Sequence, residues 1–228
     1  MGGRARGADR EPGNDGAGRA GARLAAKKKS VHAADRDTDR VRALRVAYLE
    51  VLQTEDFTRF KFVDETSTNL TYGRRYARAE GGQRAPQATP LHGGPNMTLV
   101  AALTLNGLQA ALTVSGAVNG DVFAAYLQQV LDPTRVPGDV VVLDNLPAHQ
   151  VANLAELVEA RGAHLLYLPP YPPDFNPIKR AFSKLKTWLR TATARTRDAL
   201  ETVIQTATEW MTEADAKNWF DHCGYHVH

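Results

Sequence analysis

Apolar residues recur along this chain with two different periods, and the alternation between those periods sets out an order of helices and strands. Over residues 38–53, TDRVRALRVAYLEVLQ, the apolar Val41, Leu44, Ala47, Tyr48, Val51 and Leu52 fall at helical spacing, which predicts a lead-in helix. RFKFVDE, residues 59–65, alternates Phe60 and Phe62 before Val63 and then turns acidic, which predicts a strand ending at Asp64. NLTYGRRYAR reads as a second short strand, and AEGGQRAPQATPLHGGPN as a Gly/Pro-rich connection long enough to be functional. MTLVAALT and LQAALTVSG, joined by LNG, form a hairpin. After Asn119, the residues Val122, Phe123, Tyr126, Leu127 and Val130 share one helical face. GDVVVLDN, residues 138–145, is a continuous β-type run, the pattern of a strand covered on both faces with its polar residues at the carboxyl end. LPAHQVANLAELVEARGA follows as a helix with Pro147 early and Gly162 closing it, then HLLYLP as a strand, then a helix from 177 to about 193. A last long helix runs from about Thr196 to Met211, followed by a short amphipathic piece and FDHCGYHVH. Strands followed by βαβ crossovers predict an α/β fold, a mixed central sheet with helices on both faces.

Composition changes this picture mainly at the amino terminus. At 228 residues the chain suffices for one substantial core. Residues 1–30 are rich in Gly, Ala and Arg with almost nothing to pack, and read as a disordered basic leader. That leader holds eight Lys/Arg against three Asp/Glu, so of the net +3 of the whole chain the remaining 198 residues carry about −2. The basic balance is therefore a property of the leader and not, by itself, the footprint of a nucleic-acid-binding fold. Residues 31–56 read as the lead-in helix with its connection, and 57–228 as the folded domain. One cysteine, Cys223, excludes an internal disulfide and suits a reducing compartment. No apolar run reaches the roughly 18 residues of a membrane span, and no signal-peptide core is present, so a cytoplasmic protein without membrane contact is expected. His222, Cys223, His226 and His228 invite a zinc reading, set against a packed tail.

Candidate chemistry gathers at three positions. Asp64 and Asp144 both terminate strongly apolar strands, and if the first and fourth strands are neighbours the two carboxylates converge at one edge of the sheet. Paired carboxylates suit hard cations such as Mg²⁺, while the competing reading makes each a strand-end residue capping backbone N–H groups. The third position is Lys179, in PPYPPDFNPIKRAFSKLKTWLR. With Asn176 as N-cap and Pro177 at the first helical position, Lys179 sits where a capping box and the helix dipole both favour an acid.

Taken jointly, FVDET, VVVLDNLPAH, GAHLLYLPPYPPDFNPI and FDHCGY resemble the catalytic domain of bacterial insertion-sequence transposases of the mariner superfamily, over roughly residues 27–228. The resemblance implies an RNase H-like fold, with Asp64 as first acid and Asp144 as second. It puts the third acid directly after NPI, with 34 residues between it and the second, where this sequence has Lys179. The spacing is kept and the carboxylate is not. An intact triad implies two Mg²⁺ (or Mn²⁺) ions, cleavage of transposon ends, and attack of the freed 3′-hydroxyl on target DNA. A protonated lysine cannot ligate such an ion, so metal binding and strand transfer are expected to be impaired. If Lys179 points at the acids, its charge is expected to lower their pKa values. Glu65 and Asp174 are the candidates to replace the missing ligand; Glu65 follows Asp64 on a strand and so points to the other face, and Asp174 requires its loop to fold back. His149, just after LDN, is a motif residue in that family and reads here equally as a helix-start hydrogen-bonding residue or a proton shuttle.

The family also implies helix-turn-helix modules ahead of this domain; residues 1–26 are too short and too poor in apolar residues for these, so the chain reads as truncated. DNA contact is expected from the seven Lys/Arg between 179 and 197, with no acid among them. Lys184, Lys186, Arg190, Arg195 and Arg197 lie on that stretch, and Arg74, Arg75 and Arg78 form a second basic group. A solvated charged face is the competing reading. Expected partners are transposon-end and target DNA and a second copy of the chain, with the nucleoid as the place of action. The alternative is an inactive remnant acting as a DNA-binding or oligomerisation module.

Overall fold

The computed structural model describes residues 38–74, 76–145, 154–170 and 174–226. The expected leader 1–30 lies outside them, as do Arg75, the start of the helix expected from 146, and His149. The described elements are α1 (Asp39–Leu52), β1 (Phe60–Thr68), β2 (Met97–Thr104), β3 (Gly107–Ser115), α2 (Gly120–Tyr126), β4 (Val140–Leu143), α3 (Leu154–Glu159), β5 (His164–Tyr167), α4 (Ile178–Ala192), α5 (Arg197–Glu209) and α6 (Glu213–His222). Between α2 and β4 the chain runs through one π-turn, Leu127–Leu131, and a short 3₁₀ turn, Asp132–Thr134.

The strands form one sheet in the order β3-β2-β1-β4-β5. β1 is antiparallel to β2 and parallel to β4, and β4 is parallel to β5, so the sheet is mixed, as the element order predicts. The alternation along β1 assigns its two faces. Phe60 and Phe62 pack into a core shared with α1, α4, α5 and α6, while Val63 packs on the other side with Phe123, Tyr126, Leu154 and Val158. β2 and β4 are apolar on both sides, with every residue buried, because helices cover both faces.

Two strand expectations need correction. β1 does not end at Asp64 but runs on to Thr68, because Glu65–Thr68 keep their ladder with β2 after β4 has stopped. The described residues of NLTYGRRYAR form no strand. Its backbone acceptors go elsewhere: the Arg195 guanidinium donates to the carbonyls of Leu70 and Tyr72, both at 2.8 Å, and to that of Ala88 at 3.3 Å. Thr193, in the left-handed conformation with φ +47°, ends α4 just ahead of that arginine.

The LNG turn of the hairpin is locked from outside. Gly107 has φ +106°, and a Cβ there would lie 2.5 Å from the carbonyl oxygen of Met211, which precedes α6. Gly107→Ala combines backbone strain with a backbone clash, so urea unfolding is expected to show a loss of about 1–3 kcal/mol. A loss below about 0.5 kcal/mol contradicts this contact.

Candidate active site

The sheet register brings the two aspartates together. Phe60 pairs with Val140 and Val63 with Leu143, and the same offset carried one residue further matches Asp64 with Asp144. β4 ends at Leu143 while β1 continues, so Asp64 sits at a fork in the sheet. Strand alternation points Asp64 to the Phe62 side, toward α4. It is fully buried at 0 % exposure, and Asp144 is buried at 7 %.

α4 supplies the third group. Ile178, Ala181, Phe182, Leu185 and Leu189 form its buried stripe, which fixes the rotation of the helix about its axis. Lys179 Nζ lies 2.5 Å from Asp64 Oδ2 and 3.7 Å from Asp144 Oδ2, its side chain still 41 % exposed. A cation in the first turn opposes the helix dipole by about 0.3–1 kcal/mol. Two buried carboxylates more than offset that.

The cap differs from expectation. The helix begins at Ile178, and the Asn176 side chain does not cap it. Asn176, 1 % exposed, instead directs Nδ2 at Asp64 Oδ2, 3.4 Å away, while its Oδ1 is buried with no hydrogen-bond partner among the described residues. The amide N–H of Asn176 finds a charged acceptor in the buried carboxylate, a stronger hydrogen bond than a neutral cap would make, and the amide turns inward. The first turn closes through its backbone, with Lys179 N–H donating to Asn176 C=O at 3.2 Å and Arg180 N–H to Pro177 C=O at 2.9 Å.

Burial raises the Asp64 carboxyl to about 6, against the lowering effect of Lys179; the expected lowering by the lysine is present but is outweighed by desolvation. For Lys179 burial works downward, but the Asp64 charge and hydrogen bond, followed by Asp144 and Glu65, outweigh it and raise the ammonium above its usual range. The lysine therefore stays charged, and the Glu65 N–H donates to Asp64 Oδ1 at 2.9 Å.

Neither proposed substitute reaches the pair. Glu65 lies on a regular stretch of β1, one residue from Asp64 and so on the opposite face. Asp174 Oδ2 faces Arg45 Nη2 of α1 at 3.3 Å. The tail residues of the zinc reading also diverge. Cys223 is buried with its thiol pushed up to about 11 by burial, His222 contacts Arg180, and His226 faces Asp221. His228 lies outside the described residues, among which no three His, Cys, Asp or Glu side chains gather as a metal site.

The basic stretch of α4 divides by helical phase. Lys186 and Arg190 follow Lys179 at i+7 and i+11, on one side of the helix. Burial, then the charges of Arg190 and Lys179, pull the Lys186 ammonium down, as expected for cations in a row. Arg190 also stacks over the Tyr72 ring at 5.4 Å. Lys184 points elsewhere, to Asp215 at 2.6 Å. Arg195 is taken up by the loop carbonyls, and Arg197 reaches Glu201 and Ser115. Arg74 and Arg78 are exposed on the β1–β2 connection. Periodicity alone did not reveal the roles of Asn176 and Arg195; for Asn176 the signal was an amide immediately before a proline that starts a helix.

Residues 59–201 match the family described as DDE superfamily endonuclease. Among solved structures, a Mos1 transposase paired-end complex with left transposon end superimposes with TM-score 0.72 at 16 % identity, covering 87 % of this chain and 63 % of that one. The catalytic domain of Mos1 mariner transposase gives 0.61 at 12 % identity, covering 86 % of this chain and 91 % of that one. A Mos1 mariner paired-end complex with Mn gives 0.68 at 15 % identity, covering 89 % and 63 %. These likenesses establish the fold, RNase H-like; the chain spans about 63 % of the length of the paired-end Mos1 chains. No curated protein sequence gives a significant match.

The raised Asp64 carboxyl predicts a pH dependence of definite sign. The folded protein binds this proton more tightly than the unfolded chain, whose carboxyl titrates near 3.8. The penalty is absent below about pH 4, grows as pH rises through about 6, and is constant above, at about 3 kcal/mol. Asp64→Asn is expected to flatten that part of the profile, gaining about 1–3 kcal/mol in urea unfolding at pH 7.5 relative to its offset at pH 4. Parallel profiles for the two proteins contradict the assignment.

Proposed function

The chain belongs to the DDE superfamily endonuclease family, and from that premise we propose that it is the catalytic-domain portion of a mariner-type transposase whose metal-dependent cleavage and strand transfer are impaired by Lys179 at the third acid position. One observation carries the proposal: the Lys179 ammonium lies 2.5 Å from Asp64 and 3.7 Å from Asp144, where the family's chemistry calls for a divalent cation. The resident groups do not fit a two-metal centre. Among the described residues two carboxylates and the Asn176 amide oxygen offer oxygen donors, and the ammonium already occupies the position between the acids. Having no free lone pair, it competes with Mg²⁺ or Mn²⁺ for both aspartates.

The DNA-handling part of the activity is retained in this reading. A metal-free Asp-Asp-Glu site carries three negative charges beside an incoming phosphate, whereas Asp64, Asp144 and Lys179 together carry one. Lys186 and Arg190 extend the cationic row along α4, and Arg74 and Arg78 stand on the exposed connection. The partners proposed are transposon-end and target DNA and a second copy of the chain, with the cytoplasm, on the nucleoid, as location. Among the described residues no helix is long and apolar enough to cross a membrane. Residues 1–30 are proposed as a basic leader, 31–56 as the lead-in and 57–228 as the catalytic domain. The second reading, an inactive remnant that binds DNA or oligomerises, is favoured by the same ion pair if the substitution abolishes cleavage altogether.

Millimolar Mg²⁺ is expected to leave the Tm of the natural chain unchanged and to raise that of Lys179→Glu by several degrees. On inverted-repeat DNA the natural chain is expected to cleave at least about 100-fold more slowly than any rate Lys179→Glu attains. Cleavage at comparable rates contradicts the proposal. In DNA-binding titrations, Lys186→Ala and Arg190→Ala are each expected to weaken affinity and to reduce the salt slope by about 1. Lys217→Ala, on α6 and paired with Glu213, is the control expected to change neither.

A further inference from the structure

Lys179 reaches Asp64 from a segment that is itself gripped three and four residues before the helix starts. Asp174 and Phe175 immediately precede Asn176, and both are held by α1, an element remote in sequence. Arg45 makes two contacts at once: Nη2 lies 3.3 Å from Asp174 Oδ2, and the guanidinium sits 4.4 Å over the Phe175 ring. One helical turn later, the Tyr48 ring lies 5.4 Å from the same phenylalanine. The Tyr48 and Tyr225 hydroxyls are 2.8 Å apart and buried, and Tyr225 OH donates to the Phe175 carbonyl at 2.7 Å.

The proton order in that chain follows from valence. A carbonyl oxygen can only accept, so Tyr225 spends its one proton on Phe175 and must accept from Tyr48. Burial pushes both phenols far above their usual range, so each keeps its proton and the order is fixed. Phe175 is thus held through its ring and its carbonyl, and Asp174 through its carboxylate. The next residue, Asn176, and the first turn of α4 then place an amide and an ammonium on Asp64. Pro177 restricts the backbone between the gripped and the functional residues, so a displacement of 174–175 passes to 176–179 and is not absorbed by a flexible joint.

We infer that Arg45 and Tyr48 of α1 are positioning residues for the candidate active site, setting where Asn176 and Lys179 stand relative to Asp64 through Asp174 and Phe175. α1 is then more than packing: any force that shifts it, from whatever engages the amino-terminal side of the domain, is read out at the acid pair. The claim concerns placement and does not depend on cleavage, so its test uses no activity.

Amide hydrogen exchange and competitive acetylation of the intact chain read the placement directly. Arg45→Ala is expected to speed exchange in residues 174–180 about tenfold, the effect of about 1.4 kcal/mol of lost local protection. Exchange in β2 should stay unchanged, and acetylation of Lys179 relative to Lys217 should rise several-fold. Tyr48→Phe, which keeps the ring and removes the proton donor, is expected to raise exchange in the same segment by a smaller factor. Arg45→Asp combined with Asp174→Arg is expected to restore protection and low Lys179 reactivity, and Arg45→Lys to restore them in part. Exchange rising equally in β2, no change in 174–180, or failure of the charge-swapped pair to restore both readouts would overturn the inference.

Discussion

The ion pair between Lys179 and Asp64 is the constraint around which the rest of the site is arranged. A carboxylate with no exposed surface is costly to ionise, and here it lies at the fork where β4 stops and β1 continues. Beside the Glu65 N–H at 2.9 Å, one ammonium at 2.5 Å and one amide at 3.4 Å are the compensation. Both come from the segment that opens α4, so the rotation of that helix, set by its apolar stripe, and the loop before it are tied to the state of one acid. The arrangement is electrostatically self-consistent without a metal, since the lysine lies within reach of Asp144 as well.

Energetics decide between a structural and a chemical reading of the pair. A pairing that outweighed desolvation would hold Asp64 below the ordinary carboxylate range; it is raised instead to about 6, with burial as the largest cause. The pair therefore does not optimise stability. A costly buried acid at a fork in the sheet is the kind of group that active sites use, and the proposed function makes the lysine a tethered occupant of that position. Family membership rests on residues 59–201, and the fold on the superposition with Mos1 structures. The proposed impairment rests on the geometry of Lys179.

Much of this was legible in the sequence because the strands are strongly apolar. VVVLD and MTLVAALT announced buried strands, and the run ends located Asp64 and Asp144. The stripe Ile178, Phe182, Leu185, Leu189 gave α4, whereas the direction of Lys179 stayed open until the structure placed its ammonium on Asp64. What was not legible depends on partners far away in the chain. ETST extends β1 because β2 stays alongside, which no local pattern shows. NLTYGRRYAR carries β-type residues but gives its carbonyls to Arg195, more than a hundred residues on. Asn176 reads as a cap until the buried Asp64 competes for its amide. Lys184, Arg195 and Arg197 looked like phosphate ligands in the sequence, where neither Asp215 nor the loop carbonyls are visible as their partners.

On the proposed function, an ammonium occupies the place of a divalent cation between Asp64 and Asp144. Anomalous diffraction from crystals of the natural chain grown with Mn²⁺ reads that place out. Lys179 Nζ is expected between the two carboxylates with no manganese peak there, and a peak is expected in Lys179→Glu crystals under the same conditions. A manganese peak bound by Asp64 and Asp144 in the natural chain, with Lys179 swung out to solvent, would contradict it.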